Sequence, residues 1–397
     1  MGKLTSNLVY SITAHVIKMV LPLLLFPFIA RILGAEGLGK FSYYQAVTII
    51  IASIVEFGYA YTIVNKIILN PLHEDEYIKE VEVSRALISI LICMVSMFIS
   101  FVESDALIFI SALTGIFSGS VPVYLYQVKE SFKRLSVLEL ISLMVYYLIS
   151  FIFLPVVKDV IVVVFSLFVS RLITLWWSRR SLNLEFYFIN LTFLKLGFSS
   201  IKENFIFFLH RASVVLYSTA SVFIVGKIYT LEILGYYSSS EKLVVALCGL
   251  CGPIQSVLLP FLSKNKFDKK LKIYFSTALI VVVLFCFVVS SNANLIFSSY
   301  YGDAMISGGY YFKFLIWLFP LKLTSCVLST ELYLSRGNQK AYSALYIKIL
   351  AISIPILYAS ARYQGVEGMM LALLIVELLL IISMYAKFMF GRVGYDN

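Results

Sequence analysis

The residues with chemistry to offer in this 397-residue chain are ionisable side chains set inside long apolar runs. Seven are basic, Lys18, Arg171, Arg211, Lys242, Lys313, Lys322 and Lys348; five are glutamates, Glu56, Glu139, Glu241, Glu331 and Glu377; none is an aspartate. A charge at bilayer depth costs about 2.5 to 3.5 kcal/mol even on insertion scales, so such groups face water, a ligand or each other. Lys18 and Arg211 lie near the middle of their runs, too deep to snorkel with ease. Standing on opposite walls of one cleft, they would bind a phosphorylated anion: arginine presents a planar fork to phosphate oxygens, and lysine a point charge. Arg171, Lys313 and Lys322 extend the candidate cationic set, although they sit nearer run ends or within reach of acids. Glu56 and Glu377 are candidates for coupling to H+ or Na+, because a carboxylate in a low-dielectric site can exchange a proton near neutral pH. The competing reading is internal pairing, Lys18 with Glu56 and Arg211 with Glu241, and Lys242 beside Glu241 reads as a near-surface pair.

The elements that position these groups must be membrane helices. Sixty per cent of the residues are hydrophobic and 14% charged, against about a quarter charged in soluble domains. Twelve windows are long and apolar enough to span a bilayer, near 8–30, 40–62, 84–102, 106–126, 137–157, 160–178, 201–225, 235–262, 271–292, 308–332, 343–361 and 366–386. The first is too long for a signal-peptide core and has no small-residue cleavage site behind it, so it reads as retained structure. All five cysteines fall inside apolar runs, where they act as small hydrophobes. The net charge of +10 has a topological origin: alternate loops and the two ends hold 20 Lys and Arg, and the opposite loops hold five. By the positive-inside rule both termini are cytoplasmic, and nucleic acid is not an expected partner.

The longest loop, 179–200, falls at the midpoint and suggests duplication. An offset of 196 residues sets IARILGAEGLGKFSYYQ (29–45) on VGKIYTLEILGYYSSSE (225–241), with identity at Ile32, Glu36, Leu38, Gly39 and Ser42. Each copy closes the first span of a six-span half, giving parallel repeats about an axis along the membrane normal. The expected fold is therefore an all-α integral membrane protein of twelve helices in two lobes, 1–178 and 201–397, joined by a cytoplasmic loop at 179–200. Two such lobes facing across a cleft form an alternating-access carrier. Pro22 and Pro27 loosen the first span, and Gly34, Gly37 and Gly39 let the chain reverse at the external face. The second copy keeps Gly235 without a proline before it, so the first helix is expected to bend more than the seventh.

Residues 8–59 resemble the N-terminus of the Wzx-type polysaccharide flippases of the multidrug/oligosaccharidyl-lipid/polysaccharide (MOP) exporter superfamily. The likeness rests on a proline-bearing helix ending in Arg31, then Leu33 and Gly34, the turn glycines Gly37 and Gly39, Phe41, and later Phe57 and Gly58. Gly235, Tyr236, Tyr237 and Ser238 resemble that family's equivalent turn. The resemblance implies a carrier of the bacterial inner membrane that moves an undecaprenyl-pyrophosphate-linked oligosaccharide, of O-antigen or capsule type, from the cytoplasmic to the periplasmic leaflet. It implies partners among membrane lipids, a polysaccharide polymerase and a chain-length regulator, and no cofactor beyond a coupling ion. Aromatic side chains could stack on sugar faces in the cleft, although most of them belong to lipid-facing or interfacial belts.

Other motifs carry less. HEDE at 73–76 lacks further ligands of metal-site spacing and reads as a solvated charged face. CGLC (Cys248 to Cys251) is a lone CxxC in an apolar run and reads as packing. Gly115 and Gly119 form a GxxxG expected to join two helices of one lobe. No P-loop is present. A MATE-like drug exporter would present an acidic or aromatic cleft to cationic drugs, and a membrane-embedded polysaccharide-assembly enzyme would set catalytic groups in a large external loop. Against them stand seven basic and five acidic groups in the apolar runs, with no aspartate, and external loops mostly a few residues long.

Overall fold

A computed structural model of the chain describes the backbone of residues 2–184, 191–264 and 268–390, and most side chains from Leu21 onward. The side chains of Lys18 and His210 lie outside the described residues. Among the described residues the structure is almost wholly helical and contains no strand. The order is α1 (Gly2–Glu56), α2 (Tyr59–Leu69), α3 (Glu74–Val102), α4 (Ala106–Gly119), α5 (Val123–Val128), α6 (Phe132–Val157), α7 (Val160–Ser181) and α8 (Leu191–Ile228). There follow α9 (Leu231–Cys248), α10 (Cys251–Lys264), α11 (Lys269–Ser291), α12 (Ala293–Tyr301), α13 (Ile306–Leu315), α14 (Leu318–Leu332) and α15 (Gln339–Phe390).

Nine stretches among the described residues are long and apolar enough to cross a membrane. Two of the nine run through a break in a helix, at Gly34 (φ 69°, ψ −170°) in α1 and Gly365 (φ 82°, ψ −176°) in α15. A positive φ at that ψ is open to glycine and costly for side chains that carry a Cβ. The repeat copy makes its break with different chemistry. Thr230, 196 residues after Gly34, has φ −65° and ψ 154°, and its hydroxyl accepts from Ile233 N at 3.4 Å to cap α9. Aspartates, absent from the apolar runs, do the same at other helix starts, where a side-chain oxygen satisfies an orphan N–H. Asp105 accepts from Leu107 N, Asp159 from Ile161 N and Asp268 from Leu271 N, at 2.8 to 3.0 Å. α1 keeps helical dihedrals through Pro22 and Pro27, and Gly37 and Gly39 lie within the helix after the break, so only Gly34 of the three glycines makes the turn.

Several boundaries differ from the hydropathy windows. α3 begins at Glu74, ten residues before its apolar window, because Glu74, Asp75 and Glu76 suit the positive end of a helix dipole. This accounts for HEDE, and it sets Arg85 three turns inside the helix, where it is 3% exposed. The midpoint connection is shorter than expected: α7 ends at Ser181 and α8 starts at Leu191. CGLC spans a break in the helix: Cys248 ends α9 and Cys251 begins α10.

The chain forms two compact units, one of residues 1–18 and 40–223, the other of residues 19–39 and 224–397. In the first, α4 packs against residues 48–55 of α1 through Gly115 and Gly119. A Cβ on these would stand 2.8 Å from Thr48 O and 2.5 Å from Ala52 O, so the GxxxG joins helices within one unit, as expected. α6 and α7 meet along a hydroxyl seam: Ser150 and Ser166 Oγ are 2.8 Å apart, Ser170 Oγ donates to Ser142 O and Thr174 Oγ1 to Ser142 Oγ, both at 2.7 Å. Phe57, Tyr59, Ile63 and Tyr124 bury themselves beside it in one apolar cluster.

In the second unit the two aligned segments meet each other. A Cβ on Gly39 would collide with Leu231 O and lie 2.7 Å from Gly235 N; one on Gly235 would collide with Ala35 O and lie 2.6 Å from Ala35 C. Arg31 ties the same segment to the end of α12, where its guanidinium donates to the carbonyls of Ser299 (3.2 Å) and Tyr300 (3.1 Å). Tyr300 Oη donates back to Leu23 O. Gly39→Ala and Gly235→Ala are each expected to destabilise the purified protein by about 1 to 3 kcal/mol, the range for overpacking a tight contact. Gly252→Ala, whose Cβ would meet nothing within 4 Å, is the control, and thermal melts in detergent check all three.

Candidate functional site

A cavity of about 420 Å³ in the first unit gathers the charged residues of three helices. α1 contributes Gln45, Thr48, Ala52 and Glu56, spaced by three or four so that they share one face. α7 contributes Arg171, and α8 contributes Arg211. Arg211 Nε donates to Glu56 Oε2 at 3.0 Å, with side chains 34% and 21% exposed. Arg171 forms no ion pair among the described residues, and Glu139, Tyr146 and Tyr147 are its electrostatic neighbours. Two guanidiniums against one carboxylate leave the cavity wall with an excess positive charge. In a partly water-excluded site that excess attracts an anion more strongly than it would in bulk water.

A second polar cavity, of about 190 Å³, lies in the second unit. Lys322 Nζ stands 2.8 Å from Glu377 Oε2, and Ser325 Oγ donates to Glu377 Oε1 at 2.8 Å. Glu377 is fully buried. Gln255, Tyr342 and Tyr346 complete the wall. Its charges compensate each other, as a buried ion pair requires.

The structure thus brings Arg171, Arg211 and Glu56 to one cavity and Lys322 and Glu377 to another. Lys313 is exposed on α13. Gly39 and Gly235 occupy helices in close contact. Of the pairs read from sequence, Arg211 takes Glu56 in place of Glu241, and Lys242 and Glu241 do pair, at 3.7 Å. That neighbouring pair is largely buried, at 12% and 23% exposure, and Lys242 Nζ sits 5.7 Å from the Phe26 ring. Sequence reasoning missed the uncharged cavity wall of Gln45, Thr48 and Ser118. The spacing of 45, 48, 52 and 56 was the available signal.

A helical membrane protein with a cationic cavity in one unit has known architectural counterparts. A solved "Lipid II flippase MurJ, inward closed conformation" superposes with a TM-score of 0.70 at 15% identity, covering 92% of this chain and 86% of that one. An inward-facing multidrug resistance MATE family transporter of the MOP superfamily gives 0.59 at 13% identity, with 92% and 94% covered. The chain shares the fold of these two transporters. A family model described as "Polysaccharide biosynthesis protein" matches residues 4–266, and the chain belongs to that family. A "Putative O-antigen transporter" of Shigella dysenteriae is 24% identical over 403 residues, covering 95% of this chain and 98% of the relative. One of Escherichia coli strain K12 with the same description is 26% identical over 286 residues, covering 66% and 65%. The chain is a multi-pass membrane protein by its apolar helices, and both relatives are described as transporters.

The Glu56–Arg211 contact makes a separable prediction. Arg211→Ala leaves Glu56 partly buried beside Arg171, and Glu56→Gln removes the carboxylate that orients Arg211. A double-mutant cycle on thermal stability should return a favourable coupling of about 1 kcal/mol, above the median of exposed pairs. A coupling indistinguishable from zero would show that the contact contributes nothing to folding.

Proposed function

We propose that this chain is a flippase that carries an undecaprenyl-pyrophosphate-linked oligosaccharide repeat from the cytoplasmic to the periplasmic leaflet of a bacterial inner membrane, working by alternating access of lobes 1–178 and 201–397. The observation that carries the reading is the convergence of Arg171 and Arg211 on a cavity holding one carboxylate. A pyrophosphate passing low-dielectric walls needs compensating positive charge. Bidentate guanidinium contacts supply it with direction. Family membership and the descriptions of the two relatives support the same reading. An exporter of cationic drugs would be repelled by this cavity. Lys18 adds a further cation in this proposal, and the termini face the cytoplasm, consistent with the distribution of basic residues. Glu56 or Glu377 couples transport to H+ or Na+, with a polymerase and a chain-length regulator acting on the product.

The test is complementation of a strain that lacks its own flippase, with lipid-linked intermediates measured alongside. Arg171→Ala, Arg211→Ala and Lys18→Ala should each abolish surface polysaccharide and let the lipid-linked repeat accumulate while the protein still inserts. Arg211→Lys should retain part of the export, because it keeps the charge and loses the fork. Normal export from all three alanine variants would overturn the cationic-cavity mechanism.

Flexibility is proposed to be unequal between the repeats. Pro22 and Pro27 each remove a backbone donor in the first helix, whereas α8 has none among its residues 191–228. Spin-label distances across the Gly34 turn should change more between transport states than those across Tyr229 and Thr230. Equal changes would assign the bending elsewhere.

A further inference from the structure

α4 separates the Arg171–Arg211 cavity from a larger one. Ser118 and Gly119 line the first, while Ile116, Phe117 and Ser120, on other faces of the helix, line a cavity of about 590 Å³ shared with α3 and α7. Its walls are mostly apolar, with Leu172 and Trp176 both largely exposed, at 41% and 62%. Its charged lining consists of Arg85, Arg179 and Arg180 against a single carboxylate, Glu82. The excess is two positive charges.

These groups are held in different ways. Arg179 Nη1 donates to Glu82 Oε2, while Glu82 Oε1 is buried with no hydrogen-bond partner. Arg85 is buried, with its guanidinium carbon 5.8 Å from the Tyr59 ring and 5.4 Å from the Tyr124 ring. Its Nη1 donates to Ser120 O at 3.3 Å and stands 4.0 Å from Glu82 Oε1, and its Nε has no hydrogen-bond partner. Arg180 lies at the rim with its guanidinium carbon 5.9 Å from the Trp176 ring. A buried cation with an unmet donor carries an uncompensated desolvation cost. An anion entering the cavity would lower it.

Charge and surface together narrow the ligand. A soluble anion has no use for the apolar wall, and a zwitterionic lipid has no use for the charge excess. Basic pockets between membrane helices, flanked by an interfacial tryptophan, suit the phosphate of an anionic lipid. We propose that this cavity binds an anionic phospholipid of the phosphatidylglycerol class, with its phosphodiester at Arg180 and the mouth of the Arg85 site and one acyl chain along Leu172, Phe117 and Trp176. On the proposed topology the site belongs to the cytoplasmic leaflet, and it is distinct from the cavity assigned to the transported substrate.

Trp176 provides the readout. The full chain with Trp177→Phe and Trp317→Phe keeps one of its three indoles, and it can be reconstituted into phosphatidylcholine vesicles carrying brominated phosphatidylglycerol or brominated phosphatidylcholine in both leaflets. Lipid symmetry makes the result independent of orientation. Brominated phosphatidylglycerol should quench Trp176 with a roughly fivefold or greater preference over brominated phosphatidylcholine, the order expected for one basic side chain near an anionic surface. Arg180→Glu should bring the ratio to one or below, Arg180→Lys should preserve it, and Arg134→Gln on the exposed start of α6 should leave it unchanged. Equal quenching by the two lipids, or equal loss in Arg180→Glu and Arg134→Gln, would overturn the proposal. So would reversal of the quenching by a few mole per cent of undecaprenyl pyrophosphate, which would give the site to an isoprenoid.

Discussion

A charge at bilayer depth must be given a partner, a polarisable surface or water, and the helices of this chain are arranged around three answers to that demand. Lys322 and Glu377 use the first answer, closing on each other at 2.8 Å with Ser325 as a further donor. Arg85 uses the second, held between the rings of Tyr59 and Tyr124, where the aromatic quadrupole replaces part of the lost hydration. Arg171 uses the third, facing a cavity it shares with Arg211 and Glu56. The neutralised pair leaves no net charge for a ligand, whereas the second and third answers do.

The apolar surroundings impose a second demand, which falls on the backbone. Helices in lipid gain little from burying apolar surface against each other, so close packing and hydrogen bonds hold them. The hydroxyl seam of α6 and α7 does this with serines and a threonine that also bond within their own helices, for example Ser150 Oγ to Tyr146 O at 2.8 Å. Small residues let α4 approach α1 closely enough for Thr48 Oγ1 to reach Ser111 O at 3.1 Å. The same approach sets the cavity's width, because Thr48 and Gly119 are both part of its lining. Packing and site geometry are therefore one problem here, and a larger residue at 119 would both part the helices and fill the cavity.

What could be read beforehand follows from which properties are local. Apolar runs and glycine or aspartate punctuation depend on a few adjacent residues, so the helical membrane fold was legible, as was the GxxxG contact; that Arg171 and Arg211 line one cavity was not. Pairing is not local. Glu56 could have met any basic group at its depth, and its choice of Arg211, 155 positions away, depends on how α1 and α8 pack. Arg85 shows the same limit: the acidic residues 74–76 form the first turn of α3, and the register of that helix, set by tertiary packing, turns Arg85 inward. Gly39 carried the signal of a turn because its neighbours did, although its use is in close helix contact.

The Gly39–Gly235 contact also says something about how the duplication is used. The offset that aligns the segments maps Ala35 onto Leu231 and Gly39 onto Gly235. In the structure Gly39 abuts Leu231, and Gly235 abuts Ala35. Each contact is the other's image under the same offset, which is the pattern of a twofold contact in which i meets j and j meets i. A crossing of this kind is made of backbone and hydrogen side chains, so it can part without exposing a buried charge or orphaning a side-chain donor. Arg31 and Tyr300, by contrast, anchor residues 19–39 to α12 through polar bonds to carbonyls. The segment is thus held firmly on one side and touched closely but cheaply on the other. The closeness of the crossing explains why glycine is needed at 39 and 235 while the turn between the helices can be made by Gly34 in one copy and Thr230 in the other.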